Sequence, residues 1–173
     1  PAIPRLRNKK SLTWNWCPAL IKAVPCPDLI VTPFFSKMPT FFEDAKLLID
    51  GARAKAIEID IPMCIAVVDE SGQLIAFERM NGGKVTSAII AQDKAFTAAG
   101  AKKPTHEYNE ACKPGNLVFG IHTAIGGRLC VVGGGLPVKV DGEVVGGIGL
   151  SSGTPQQDMD CAQAGIDHFL SQI

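Results

Sequence analysis

The chain has 173 residues, with 17 basic and 17 acidic side chains, and 46% of its residues are hydrophobic. This length and composition predict one globular domain rather than a disordered chain, and the zero net charge argues against a general nucleic-acid-binding protein. Every apolar run is far shorter than the ~20 residues of a membrane-spanning helix, so we expect no membrane partner. We expect a cytoplasmic protein, with secretion as the alternative.

The composition of the chain changes near Met38. Residues 1–37 carry six basic side chains and one acidic side chain, a net charge of +5, which leaves −5 for residues 38–173. All 18 glycines lie at or beyond Gly51, whereas six of the 12 prolines lie in the first piece. We therefore expect an N-terminal extension of unknown role, residues 1–37, followed by one folded domain, residues 38–173.

The first half of the folded domain predicts a helix, a hairpin and a second helix. Thr40 and Glu43 have the spacing of a capping box, and apolar residues then recur at helical intervals. Two short apolar runs that flank a turn are typical of hairpin strands. The predicted elements are a helix over 40–58, strands over 63–68 and 74–79, and a helix from Thr86 or Ser87 to Gly100.

The second half begins with residues 101–128, which are polar and rich in glycine and proline. A segment of this length without regular structure is usually functional or poorly ordered. Asp141-Gly142 is a strong hairpin signal, and Thr154 followed by Pro155 is typical of a helix start. The predicted elements here are a strand over 129–132, hairpin strands over 137–140 and 143–150, and a helix that begins after residue 154.

This order of elements predicts an α/β fold of the α+β kind. Adjacent strands are joined by hairpin-length links, with one long crossover in the middle of the domain. We therefore expect an antiparallel sheet of about five strands with helices packed on it.

Charged side chains near the predicted strand ends are candidate ligand contacts. Arg79 ends a strand, Lys94 lies in the second helix, and Asp69 lies at the first hairpin turn. If Arg79 and Lys94 face one cleft, they form a site for a carboxylate, because the fork of arginine binds a carboxylate through two hydrogen bonds. A surface salt bridge is the alternative interpretation.

Two histidines flank the long irregular segment. His106 and His122 are candidate ligands of haem iron or of another metal, and candidate acid–base groups near neutral pH. Without a paired carboxylate they do not define a zinc site. Cys112, beside Lys113, is the one cysteine of the folded domain that lies in a polar loop.

Glycines are concentrated in residues 126–153. No Gly-Lys-Ser/Thr sequence follows, so this tract is not a P-loop, and neither of its clusters lies between a strand and a helix as a dinucleotide-binding motif requires. Glycines of this kind allow another backbone or a ligand to approach closely. Helix packing and ligand contact both remain open interpretations.

Five segments of the domain together match a known family. They are IAVVDESG at 65–72, LIAFERM at 74–80, KAFTA at 94–98, GGGLP at 133–137 and GGIGLSSG at 146–153. Over about residues 40–173 the chain resembles the GlcG-type haem-binding family, which includes the C-terminal domain of PduO-type proteins. The resemblance implies a profilin-like fold, homo-oligomers built from dimers (tetramers or octamers), and haem as a ligand of some members.

In some members of that family a histidine on or near the first helix binds the haem iron. The present sequence has no histidine before His106. Axial ligation would therefore fall to His106, His122, Met80 or Cys112.

On this resemblance we expect a small-molecule-binding homo-oligomer whose ligand is haem, a related tetrapyrrole or a small carboxylate. The expected ligand contacts are Asp69, Arg79, Lys94, His122, Gly134, Gly135 and Pro137. The alternatives are an enzyme that acts on a small organic acid or degrades haem, and a structural accessory subunit of a metabolic operon.

Overall fold

The computed structural model describes residues 42–173. The capping box at Thr40 and the division near Met38 lie outside the described residues. Within that range the elements are α1 (Phe42–Glu58), β1 (Cys64–Asp69), β2 (Leu74–Arg79), α2 (Ser87–Ala101), α3 (Glu107–Ala111), β3 (Gly135–Val140), β4 (Glu143–Ser151) and α4 (Pro155–Leu170). Two short 3₁₀ turns, Ile121–Thr123 and Ile125–Gly127, lie between α3 and β3.

The four strands form one antiparallel sheet in the order β2-β1-β4-β3. Side chains alternate between the two faces of the sheet, and both faces of β1 are buried. Ile65 and Val67 belong to the core under α1 and α4. Cys64 and Ala66 belong to a second, smaller core under α2. The sheet is therefore a middle layer between one helix and a helix pair.

Glycines in β4 allow α2 to lie directly on the sheet. A Cβ atom added at Gly147 would lie 2.5 Å from the carbonyl oxygen of Ala95, and one at Gly149 would collide with the backbone of Ala91 and Ala95. The facing residues of α2 are alanines, including Ala91, Ala95 and Ala99. In this part of the tract, helix packing accounts for the glycines.

The prediction of an α+β fold with an antiparallel sheet is confirmed, but the number of strands is four rather than five. Residues 129–132, predicted to be a strand, pair with side chains instead of a neighbouring strand. The N–H group of Cys130 donates to Thr97 Oγ1 at 2.9 Å, and the Thr105 hydroxyl donates to the carbonyl oxygen of Val132 at 2.7 Å. These side chains satisfy the backbone groups that a strand would otherwise pair in a ladder.

Two of the predicted helix and hairpin ends are confirmed, and one is wrong. Thr154 and Gln157 form the capping box of α4, and Asp141 and Gly142 both have positive φ angles (52° and 85°) in the β3–β4 turn. The second helix, however, continues through Gly100 and ends at Ala101, and Lys102, whose φ is 55°, is the residue that caps it. Among the described residues, no helix is long and apolar enough to cross a membrane.

Candidate functional site

An open groove lies between α1 and β2, which is an edge strand of the sheet. Its volume is about 480 Å³, within the range of sites that hold cofactors and drug-sized ligands. The residues that line it are Phe42, Lys46, Ile49, Asp50, Arg53, Ile75, Ala76, Phe77 and Glu78. Those from α1 recur at helical spacing and thus share one face of the helix.

Two aromatic rings give the groove its apolar surface. Phe42 is 58% exposed and Phe77 is 37% exposed. Two exposed rings beside one groove form a local apolar surface that a ligand can cover. Such rings offer a flat apolar ligand the offset stacking contacts that aromatic groups prefer.

The groove also contains two cations that differ in their freedom. Arg53 Nη1 donates to Glu78 Oε2 at 2.6 Å, and its other terminal nitrogen pairs with Asp50. Burial lowers the pKa of Arg53, but the two carboxylates more than offset this and raise the pKa. Lys46 is 48% exposed, its Nζ pairs with the exposed carboxylate of Glu43, and it lies 5.2 Å from the centroid of the Phe42 ring. Lys46 has one exposed carboxylate partner where Arg53 has two, so it is the cation that a ligand anion meets more easily.

Lys94 does not face an open cleft. Its side chain is buried, and Nζ donates to Asp158 Oδ2 at 2.7 Å and to the carbonyl oxygen of Leu150 at 2.8 Å. Burial raises the pKa of the Asp158 carboxyl, and the ammonium group of Lys94 opposes that rise. The prediction that Arg79 and Lys94 share one cleft is therefore wrong, because Lys94 forms an internal ion pair.

The other predicted contacts near the first hairpin lie apart from Lys94. Asp69 Oδ1 accepts the N–H groups of Ser71 and Gln73, at 2.8 and 2.9 Å, and so holds the β1–β2 turn. Arg79 is exposed at the end of β2. Neither residue lines the groove.

The predicted glycine wall divides between packing and a separate surface. A Cβ atom at Gly134 would lie 2.8 Å from Lys94 Nζ, and one at Gly135 would collide with the backbone of Lys94. Pro137 instead borders a shallow cavity of about 280 Å³ together with Pro104 and Leu170. Gly134 and Gly135 thus adjoin Lys94 in the interior and do not line an open site.

The two candidate metal ligands are both exposed. His106 precedes α3, and His122 lies in the first 3₁₀ turn. Within residues 42–173, no group of three or more histidine, cysteine, aspartate or glutamate side chains is arranged to hold a metal ion. A metal site at these histidines stays a prediction without geometric support.

Comparison with known proteins identifies the family of the chain. The family model described as haem-degrading protein HbpS-like matches residues 42–167. The chain belongs to the HbpS-like family. It is 38% identical to a 15.0 kDa protein from the dhaT-dhaS intergenic region of Citrobacter freundii, over 72% of this chain and 88% of that protein.

Two solved structures share the fold of this HbpS-like chain. Protein ORFY of Klebsiella pneumoniae superposes with a TM-score of 0.75 at 33% identity, over 76% of this chain and 91% of that chain. The complex of PduOC with haem superposes with a TM-score of 0.72 at 32% identity, over 75% of this chain and 94% of that chain. The predicted family resemblance is confirmed.

The groove of this HbpS-like chain fits one part of haem and not another. It has aromatic surface for the ring and a half-exposed lysine for a propionate. However, the residues that line it include no histidine, methionine or cysteine. Met80 accepts the N–H group of Met63 through its sulfur at 3.3 Å, and Cys112 is buried elsewhere. The groove therefore suits a porphyrin and its carboxylates, but it supplies no usual axial ligand to iron.

The sequence interpretation did not select any of the groove residues. Phe42 and Lys46 are four residues apart on α1, and Phe42 is exposed at the start of the helix. An aromatic residue one turn from a lysine is the signal that indicates this surface.

Proposed function

We propose that this chain is a small-molecule-binding protein that holds a tetrapyrrole dicarboxylate of the haem type in the groove between α1 and β2. The observation that carries the proposal is the combination of two exposed aromatic rings, Phe42 and Phe77, with the half-exposed Lys46. The ring of the ligand packs on the aromatic surface, and a propionate meets the ammonium group. The haem complex of the relative PduOC supports this choice of ligand class.

In this proposal the affinity comes from the porphyrin and its carboxylates rather than from a bond to iron. Haemin and metal-free protoporphyrin IX share the ring and both propionates and differ in the metal. We therefore expect the two to bind this protein with dissociation constants within about threefold of each other, because both make the same groove contacts. Titrations followed by absorbance would measure both constants.

A lysine substitution tests whether the groove is the binding site. Lys46→Gln is expected to weaken the binding of both porphyrins about fivefold, equivalent to ~1 kcal/mol, because it removes the charge that meets a propionate. Lys55→Gln is the matched control, since Lys55 lies on the same helix and also pairs with a glutamate three residues away, but outside the groove. Equal effects of the two substitutions, or no saturation with either porphyrin, would contradict the proposal.

We also propose that the first 37 residues are not part of this binding domain. A chain that begins at Met38 is then expected to bind haemin with unchanged affinity.

A cytoplasmic location is our proposal as well, supported by the free thiols of the four cysteines in the described residues, since disulfides are typical of oxidising compartments. Fractionation of the source cells would test the location.

We propose a homo-oligomer whose contacts include residues 113–123, a segment we name the exposed segment. Its apolar side chains include Leu117, which is fully exposed, and Phe119, which is 58% exposed. The occupant we propose is a second copy of the chain, since apolar side chains left in water favour burial against a partner.

Light scattering tests this assembly. Replacing Leu117 and Phe119 together by serine is expected to lower the measured mass toward that of one chain. Ile57→Ser is the control, because Ile57 is 62% exposed on α1 and lies outside the exposed segment. An unchanged mass in the double variant would contradict the proposed interface.

A further inference from the structure

A second cavity lies between the C-terminal half of α2 and the segment that includes α3. Its volume is about 260 Å³, which is larger than the ~150 Å³ cavity known to hold benzene. The side chains that define it include Phe96 of α2, Tyr108 of α3, and Ile125 and Leu129 of the following segment. It shares no lining residue with the groove between α1 and β2.

The interior of this cavity is apolar. The hydroxyl group of the lining residue Thr97 is hydrogen-bonded to the backbone. It donates to the carbonyl oxygen of Asp93 at 2.7 Å and accepts the N–H group of Cys130 at 2.9 Å. Thr97 is buried. The interior is therefore suited to an apolar group and not to a sugar or another polyol, which needs several hydrogen-bonding partners.

Two cations stand over the aromatic rings that line the cavity. The guanidinium carbon of Arg128 lies 4.0 Å from the centroid of Phe96, and Lys103 Nζ lies 3.9 Å from the centroid of Tyr108. Arg128 Nε donates to Asp93 Oδ1 at 3.1 Å, which holds the guanidinium plane. In the described part of the chain, the two terminal amino groups of Arg128 have no hydrogen-bond acceptor. Arg128 does not itself line the cavity, but it directly precedes the lining residue Leu129 in the chain and stacks on the lining ring of Phe96, so its amino groups are available to the two oxygens of a carboxylate beside that ring.

Gly100 lines the cavity. It lies within α2, where glycine is less favourable than any residue but proline, and it has no packing reason to be there, since a Cβ atom would meet nothing within 4 Å. Gly147 and Gly149 of β4, in contrast, are required by backbone contact with α2. Ile125, on the opposite wall, has a φ of 54°, which is an unfavourable angle for a β-branched residue. Backbone strain of this kind is common at ligand sites.

We propose that this cavity binds a small monocarboxylic acid with an aromatic or branched apolar body. The apolar body fills the space beside Gly100 and packs on Phe96 and Tyr108. The carboxylate lies at the rim and accepts two hydrogen bonds from Arg128, with Lys103 as the second cation. This site is separate from the porphyrin groove and does not depend on it.

The probe for this site is 3-phenylpropionate, and its neutral counterpart is 3-phenylpropanol. In a titration followed by backbone amide NMR signals, the acid is expected to shift those of Gly100 and Leu129 with a dissociation constant of about 0.1–1 mM. The alcohol is expected to bind at least tenfold more weakly, since it lacks the charge that Arg128 meets. Equal binding of acid and alcohol, or no saturable shift at these two residues, would overturn the proposal.

Two substitutions separate the two halves of the proposed site. Arg128→Gln is expected to remove the preference for the acid while leaving the weak binding of the alcohol. Gly100→Leu is expected to abolish the binding of both, because the added side chain fills the cavity without a backbone collision, and Gly100→Ala is expected to weaken it in the same direction. If the Gly100→Leu variant bound the acid with full affinity, the acid would bind elsewhere and the proposed site would be refuted. Lys46→Gln is expected to leave the binding of the acid unchanged, so failure of this proposal can be distinguished from failure of the porphyrin proposal.

Discussion

Lys94→Met is expected to lower the free energy of unfolding by about 3–5 kcal/mol, because it leaves the carboxylate of Asp158 buried without its cation. Lys94 and Asp158 are 2% and 3% exposed, so water cannot replace the missing partner. The carbonyl oxygen of Leu150 loses a hydrogen bond in the same variant. Unfolding in urea, followed by circular dichroism, measures the change.

A double substitution distinguishes the lost charge pair from a simple packing defect. Lys94→Met combined with Asp158→Leu is expected to recover at least half of the lost stability, since a buried ion pair can often be replaced by apolar side chains. Lys113→Met is the control for an exposed pair, because Lys113 and Glu110 form an ion pair on the surface. It should change stability by less than about 1 kcal/mol. A similarly small effect of Lys94→Met would show that the internal pair contributes nothing special.

Gly149→Val is expected to lower the free energy of unfolding by about 3 kcal/mol or more, at the upper end of the effects of overpacking. The added Cβ atom would collide with the backbone of Ala91 and Ala95 in α2. Backbone atoms cannot rotate away as a flexible side chain can, so α2 would have to move off the sheet. Thermal and urea unfolding of the variant measure the loss.

Gly100→Ala, in the helix that packs against Gly149, is the opposite case. A Cβ atom at Gly100 meets nothing within 4 Å, so alanine is expected to raise the stability by about 0.5–1 kcal/mol through its better helix propensity. If both substitutions changed stability by the same amount and in the same direction, close helix packing would not be the reason for glycine at residue 149.

The parts of the fold that local chemistry decides could be predicted from the sequence. The capping box that begins α4 involves only Thr154 and Gln157, and the β3–β4 turn only Asp141 and Gly142. In both cases the residues that decide the conformation lie within a few positions of each other. Their side chains and backbone preferences favour one local structure regardless of the rest of the molecule.

The errors arise where a distant residue decides the outcome. Lys94 looks like a surface cation in the sequence, but its partner Asp158 lies 64 residues further along the chain. Residues 129–132 have the composition of a strand, yet the hydroxyl groups of Thr97 and Thr105 take up their backbone groups. No short-range pattern records either contact.

The candidate groove was missed for a related reason. The groove exists because β2 is an edge strand and α1 leaves part of it uncovered. The position of β2 at the edge follows from the order of strands in the sheet. Strand order is a property of the whole fold. The sequence could indicate that Phe42 lies one turn from Lys46, but not that Phe77 would be close to it.

The internal ion pair connects elements that the sheet would otherwise separate. Lys94 starts on the helix that covers one face, contacts the backbone of β4, and reaches a carboxylate on a helix that covers the other face. Removing either helix from the sheet separates the pair and leaves the other ion without its partner, so partial opening is disfavoured. The three layers are thereby made into one cooperative unit, and a ligand that stabilises one face also stabilises the other against opening.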